Sequence, residues 1–149
     1  MFPHRAEFEN AHLLNGFDDC FMVPHSRHSE VKREDIEKVK QLEILASSDI
    51  AGVHIIANKN GRQYFVLGHA EYDRDTLANE YFRDKEQGSD IEIPYNYFPE
   101  NDPEKTPVFS WRCHANLMFS NWLNYCIYQS TPYDLNDLEK MDWDSETGL

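Results

Sequence analysis

The sequence contains no apolar run near the roughly 20 residues that a membrane-spanning helix needs. Met1 to Asn10 carries charges of both signs and no apolar stretch, which is unlike a secretory signal. Glycine is scarce, with 6 residues in 149. No Gly/Ser linker divides the chain, and no internal repeat or low-complexity tract is visible. The phosphate-cradling loops G-x-G-x-x-G and G-x-x-x-x-G-K are missing, as is the G-x-S-x-G nucleophile elbow. Basic residues are few. Against 27 Asp+Glu there are 14 Lys+Arg, a net charge of -13 with His neutral. So acidic a chain repels phosphate backbones and anionic lipid, so neither nucleic acid nor a membrane surface is expected as a partner. The three cysteines, Cys20, Cys113 and Cys126, are odd in number and widely spaced. They form no C-x-x-C pair and no zinc pattern, and read as free thiols in a reducing, cytoplasmic setting.

What is present suffices for a core. Hydrophobic residues make up 40% and aromatics 13%, enough at this length for one domain that buries about 70% of its unfolded surface. Met1 to Asn15 has no regular pattern. Phe21-Met22-Val23 is a short apolar run that Pro24 favours as extended. Ser29 is placed to cap a helix over Lys32–Val39. Three strands follow: Leu42–Ala46, Val53–Ala57 and a mostly buried Gln63–Leu67. Asn60-Gly61 between the last two predicts an antiparallel hairpin. Asp73 is positioned to cap a helix over Arg74–Gln87 that stops at Gly88, with Leu77/Tyr81 and Ala78/Phe82 on its apolar face. Ser89–Pro107 reads as a long, aromatic-rich loop. Trp111–Gln129 is the longest helix pattern, with Ala115, Met118, Phe119, Trp122 and Cys126 along one stripe, and Thr131-Pro132 ends it. From Asp134 onward the chain is acidic and reads as a solvated tail.

The densest chemistry lies in Gly68-His69-Ala70-Glu71-Tyr72-Asp73, between an apolar strand and a helix. In an extended segment residues i and i+2 share a side at roughly 6.6 Å. The Glu71 carboxylate can then accept Nδ1–H of His69, fix its tautomer and leave Nε2 as a general base. The same H-x-E spacing also suits an ordinary exposed histidine. Pro24-His25-Ser26-Arg27-His28, with Glu30, fits neither H-E-x-x-H nor a helical i,i+4 pair, so no metal is assigned to it. A polar binding loop suits it better, with Ser26 and Arg27 apt for an amino acid's carboxylate or hydroxyl. Arg83 suits a carboxylate equally well as it suits an ion pair with Glu80 or Asp84. It lies about 13 Å along the axis from Arg74 at 1.5 Å per residue, so it serves His69 only if this helix runs alongside. No nucleophile completes the set. Cys113 and Cys126 fall in the long helix pattern, and Cys20 in a loop.

Several collinear motifs carry a family resemblance. They are Leu14-Asn15-Gly16-Phe17-Asp18-Asp19, Pro24-His25-Ser26-Arg27, Leu42-Glu43-Ile44-Leu45-Ala46 and Gly68-His69-x-Glu71-Tyr72-Asp73. Asn96-Tyr97-Phe98-Pro99, Trp111-Arg112-x-His114, Asn121-Trp122-Leu123-Asn124-Tyr125 and Thr131-Pro132-Tyr133-Asp134-Leu135 continue the series. Together they resemble the homoserine O-acyltransferases of methionine biosynthesis over residues 1–135, leaving 136–149 as the acidic tail. The resemblance implies an α/β fold, part of a three-layer sandwich like the class I glutamine amidotransferases (flavodoxin-like), with a mostly parallel sheet and a Cys-His-Glu triad. It implies acyl transfer from acetyl-CoA or succinyl-CoA to the hydroxyl of L-homoserine. His69 takes the place of the proton acceptor and Glu71 that of its partner, while Ser26 and Arg83 take substrate-binding positions. No bound cofactor is implied; acyl-CoA is a co-substrate, and a homodimer is compatible with the pattern. Two departures stand out: Ala70 occupies a position that is usually proline, and Cys113 one that is usually serine.

The resemblance further implies that this chain is the C-terminal half. The acyl-accepting cysteine, an active-site lysine, the determinant of acyl choice and most parallel strands then belong to an N-terminal half, and this chain alone is expected to be inactive. Two other readings stay open: a non-catalytic acidic interaction protein or gene remnant, and glutamine amidotransfer by the same triad.

Overall fold

The computed structural model describes residues 1–7, 11–132 and 134, so the acidic tail expected over 136–149 lies outside the described residues. Five strands form one curled sheet in the order β2-β1-β3-β4-β5. They are β1 (Phe2–Ala6), β2 (Phe21–Val23), β3 (Leu42–Ser48), β4 (Gly52–Asn58) and β5 (Tyr64–Val66). All four pairings are antiparallel. This is an α/β arrangement, and the parallel strands implied above are not among the described residues.

The β-branched run of β4 pairs with β3 from Leu42↔Asn58 to Ser48↔Gly52. A register shift between Ile44 and Ser47 adds the local bend that a bulge brings. The hairpin at Asn60-Gly61 joins β4 to β5 as expected, with Gly61 at φ 72°. β5 departs from expectation. It is short and lies at the sheet edge, and Phe65 and Val66 are exposed rather than buried. The N-terminal segment also departs. Phe2–Ala6 is a strand, and it occupies a central place between β2 and β3. Its Pro3 and the adjacent polar pair His4-Arg5 carry no strand signature, so tertiary pairing overrides local propensity there.

Helix α1 (Arg33–Glu37) is shorter than Lys32–Val39, and Lys32 rather than Ser29 stands at its N-cap, with no side-chain cap. Its Ile36 packs with Ile44, Val53 and Ile56 on one face of the β3–β4 pair. The opposite face holds Leu45, Ala46, Ile55 and Ala57 against Leu13, Leu14, Phe21 and Met118. Val53 and Ile56 pack to one side of β4 and Ile55 and Ala57 to the other, the alternation being broken at the register shift between Val53 and Ile55, and burial on both sides explains why that strand reads as continuously apolar.

Helix α2 (Thr76–Glu86) begins two residues later than expected, with Asp75 and not Asp73 at its N-cap, and Gly88 follows its end at φ 79°. Leu77, Ala78 and Tyr81 are buried with Met1, Tyr97, Phe98 and Trp111, so the aromatic-rich loop is held by burial. Phe82 is left exposed. The last helix among the described residues is α3 (Arg112–Asn121), which continues as a π-helical stretch over Trp122–Tyr128. Ala115 and Met118 face the core as expected, but Phe119 and Trp122 do not. The buried Asn121 amide donates to the carbonyls of Leu13 (3.1 Å) and Asn15 (2.8 Å), tying α3 to the chain before β2. No helix among the described residues is long and apolar enough to cross a membrane. The three cysteines are free; Cys20 and Cys113 are exposed, and Cys126 Sγ lies 3.3 Å from the Tyr64 hydroxyl.

Candidate active site

Two segments from distant parts of the chain meet beyond the ends of β2 and β5. Pro24–Glu30 leaves β2, and Gly68–Asp73 leaves β5. They are joined by the amide of His69, which donates to the Pro24 carbonyl at 2.9 Å. One residue earlier, the Gly68 amide donates to Nδ1 of the buried His54 at 3.3 Å. Gly68 is required by space. A Cβ there would lie 2.5 Å from Val23 Cγ1, 2.8 Å from His25 Nε2 and 2.9 Å from His54 Nδ1.

His69 Nδ1 lies 2.8 Å from Glu71 Oε1. A carboxylate only accepts, so this contact assigns the proton to Nδ1 and leaves a lone pair on Nε2 in the neutral ring. Nε2 sits 3.4 Å from the Ser26 carbonyl oxygen, which can accept from it once it is protonated. The His69 side chain is one-third exposed, at 33%, so a substrate can reach it. His69, Glu71 and Ser26 are thus brought together. Arg83 is on the exposed side of α2, and its Nε donates to Asp84 at 2.7 Å. It therefore makes one of the two ion pairs its neighbours offered. Glu80, on the same helix, accepts the Tyr72 hydroxyl, so α2 runs alongside the Gly68–Asp73 segment.

Tyr72 is the residue that sequence reasoning left out of the site. Its ring stacks on His69 with centroids 4.3 Å apart and planes 16° from parallel. Its hydroxyl donates to Glu80 Oε1 at 2.8 Å. Burial, then the hydrogen bond to Glu80, pushes the phenol up to about 12, so it stays neutral. The second oxygen of Glu80 is buried without a partner. From the sequence, Glu80 reads only as an ion-pair partner for Arg83. The visible signal for Tyr72 was its place next to Glu71.

Behind the site, His4, His25 and His54 each put a ring nitrogen within 4.8 Å of the others. Burial is the main cause that lowers His4 to about 4 and His25 to about 3, and it holds His54 well below its ordinary range. The nitrogens are largely committed to one another and to backbone. His4 Nδ1–H donates to the Phe2 carbonyl (2.9 Å), which leaves its Nε2 to accept from His25 Nε2–H (3.0 Å). His54 Nδ1 serves Gly68. His4 and His25 form one neutral hydrogen-bonded pair, His54 beside them ties β4 to Gly68, and His25 Nδ1 is buried without a partner. Around Ser26, but without it, the same loop lines a cavity of about 350 Å³ through His25, Arg27, His28 and Glu30, with Phe2 and Ala51 opposite.

The comparisons with known proteins bear on this arrangement directly. The family described as homoserine O-succinyltransferase matches residues 1–133. This chain belongs to that family. A protein of Acetivibrio thermocellus named homoserine O-acetyltransferase is 60% identical over 139 residues, 93% of this chain and 46% of the relative. A Brevibacillus brevis protein of the same name is 58% identical over 137 residues, 92% of this chain and 45% of the relative. A third, from Clostridium acetobutylicum, is 60% identical over 135 residues, 91% and 45%. The chain spans about half the length of the curated relatives it matches.

Proposed function

We propose that this chain forms the C-terminal half, residues 1–135, of a homoserine O-acyltransferase domain with an amidotransferase-like α/β sandwich, and supplies the His/Glu part of its Cys-His-Glu site. The observation that carries the reading is the His69 Nδ1–Glu71 contact at 2.8 Å, beside Ser26, in a chain of this family. In the complete enzyme a cysteine thiolate from the other half attacks the thioester carbonyl of acyl-CoA and expels CoA as its thiolate, which takes up a proton. The hydroxyl of L-homoserine then gives its proton to His69 Nε2 as its oxygen attacks the acyl-cysteine. The cysteine leaves as thiolate, and the imidazolium, held by Glu71 and accepted by the Ser26 carbonyl, returns its proton to solvent. Ser26 and Arg83 bind homoserine, Arg83 exchanging Asp84 for the substrate carboxylate.

The donor we assign is acetyl-CoA, supported by the names of the relatives, while the family description names succinyl. The exposed face supports a missing half. An apolar groove of about 420 Å³ lies between β5 and α3, with Tyr64, Phe65, Val66, Phe119 and Trp122 in its walls. An unpaired edge strand beside such a groove suits pairing with another segment. The complete enzyme is placed in the cytoplasm.

The test is reconstitution. This chain is mixed with the amino-terminal half of the Acetivibrio thermocellus relative, and CoA release is followed with homoserine and either acetyl-CoA or succinyl-CoA. Turnover is expected from the mixture, faster with acetyl-CoA, and none from this chain alone. His69→Ala should abolish it. Activity of the mixture that survives His69→Ala overturns the assignment. A mixture that stays inactive while the fused chains work removes the two-piece reading, and glutamine hydrolysis instead of acyl transfer favours amidotransfer.

A further inference from the structure

We propose that Tyr72 is a positioning residue for His69, its phenol ring being a platform that fixes the plane of the imidazole and stabilises its protonated form. The inference rests on His69 serving as the base, as proposed above. Nothing in the backbone alone aims the His69 ring. Ala70 imposes no constraint of its own, and the Glu71 contact leaves the imidazole free to swing about the Nδ1···Oε1 line. The stacked ring 4.3 Å away at 16° removes that freedom. The turn that closes with the Tyr72 amide on the His69 carbonyl brings the two rings over each other.

A platform must itself be fixed, and Tyr72 is held at two points. Its hydroxyl donates to Glu80 on α2, and its carbonyl accepts the Trp111 indole N–H at 2.9 Å. Trp111 is 2% exposed and packs in the α2 core, so the platform is continuous with rigid structure. A neutral aromatic face attracts a cation more than a neutral ring, so it stabilises imidazolium selectively. The other groups facing His69 are Glu71 at Nδ1, the Ser26 carbonyl at Nε2 and the neutral His25 behind, with Glu80 beyond the Tyr72 hydroxyl. Of these, Glu71 and Tyr72 favour the charged ring. Tyr72 remains when substrate displaces water, because it lies under the ring and not at its edge.

The experiment is a proton NMR titration of His69 in this chain, its Cε1–H identified by its loss in His69→Gln. Tyr72→Leu is expected to lower the midpoint by about half a pH unit, and Tyr72→Phe to hold it within about 0.2 units of wild type. A Leu variant that titrates with wild type overturns the proposal. So does a Phe variant that falls as far as the Leu variant, since the hydroxyl would then be the cause. Should Tyr72→Leu fail to fold, the wild-type spectrum decides: stacking requires ring-current upfield shifts of the His69 ring protons, and unshifted protons overturn the platform. No substrate is present, so the result stands apart from catalysis. A normal titration response with an active His69→Ala reconstituted enzyme would remove the base assignment, and the proposal with it. A flat response with an inactive His69→Ala would remove the platform alone.

Discussion

Acidification from pH 7.5 to 5 is expected to weaken the fold through the imidazole cluster, and His4 allows the size to be worked out. His4 is fully buried, and burial lowers it from its ordinary 6.5 to about 4. A histidine whose folded pKa is depressed binds its proton only after unfolding. Stability is therefore complete above pH 6.5, falls as pH drops below that value and stops falling near the folded pKa of about 4. Across pH 7.5 to 5 the linkage amounts to about 2 kcal/mol for His4 alone. His25, lowered to about 3, and His54 act in the same direction. The Met1 ammonium, lowered by burial to about 5, drifts likewise. Glu7, held down by the Arg33 hydrogen bond, loses its contribution only at more acidic pH, outside this window. Urea unfolding at pH 7.5 and pH 5 measures the effect. The His4→Gln variant should lose less than wild type over the interval, by about 2 kcal/mol through His4 itself and further through His25 and His54, which His4 also lowers. An equal loss in variant and wild type, or a wild type whose stability is flat between the two pH values, refutes the argument.

Other substitutions probe the contacts that assemble the site. Gly68→Ala should cost about 1–3 kcal/mol in urea unfolding, because the new methyl overlaps Val23, His25 and His54. A neutral result would mean that this packing can relax. Asn121→Ala strands two carbonyls at the α3 junction and should cost about 1–3 kcal/mol, whereas Asn124→Ala, on the exposed side of the π-helical stretch, should sit near zero. In thiol labelling, the exposed Cys20 and Cys113 should react before Cys126, whose Sγ contacts Tyr64. Arg83→Ala in the reconstituted enzyme should raise KM for homoserine by about tenfold, the order expected for one charge-assisted contact, and leave KM for acyl-CoA unchanged.

The parts of the fold legible in the sequence were those whose cause is local. Asn60-Gly61 specifies its hairpin because a tight turn needs a positive φ, and Gly61 supplies it. The apolar runs of β3 and β4 are buried on both faces, so their pattern needs no context. β1 was illegible for the opposite reason. Phe2–Ala6 is a strand because β2 and β3 flank it, and its own residues, with a proline and two cationic or titratable side chains, say little. The helix starts were misplaced where capping was inferred from residue type alone. Ser29 and Asp73 both have suitable side chains, yet α1 and α2 begin without a side-chain cap. The edge position of β5 could not be read either, since an apolar strand reads alike whether its partner is present or absent.

The site divides along the same line. His69 and Glu71 are two residues apart, and extended geometry alone brings their side chains together, so the pair could be derived from spacing. Ser26 lies 43 positions from His69 and reaches it because the His69 amide pairs with Pro24, a contact no local pattern encodes. Residue type marks Ser26 as a candidate of a binding loop, and only the family resemblance joins it to His69. Tyr72 escaped for a third reason. Its part comes from a ring face and not from a polar atom, and an aromatic next to an acid reads as ordinary packing. Yet the stack on His69 and the bonds to Glu80 and Trp111 make Tyr72 the residue through which the site is tied to the core of α2.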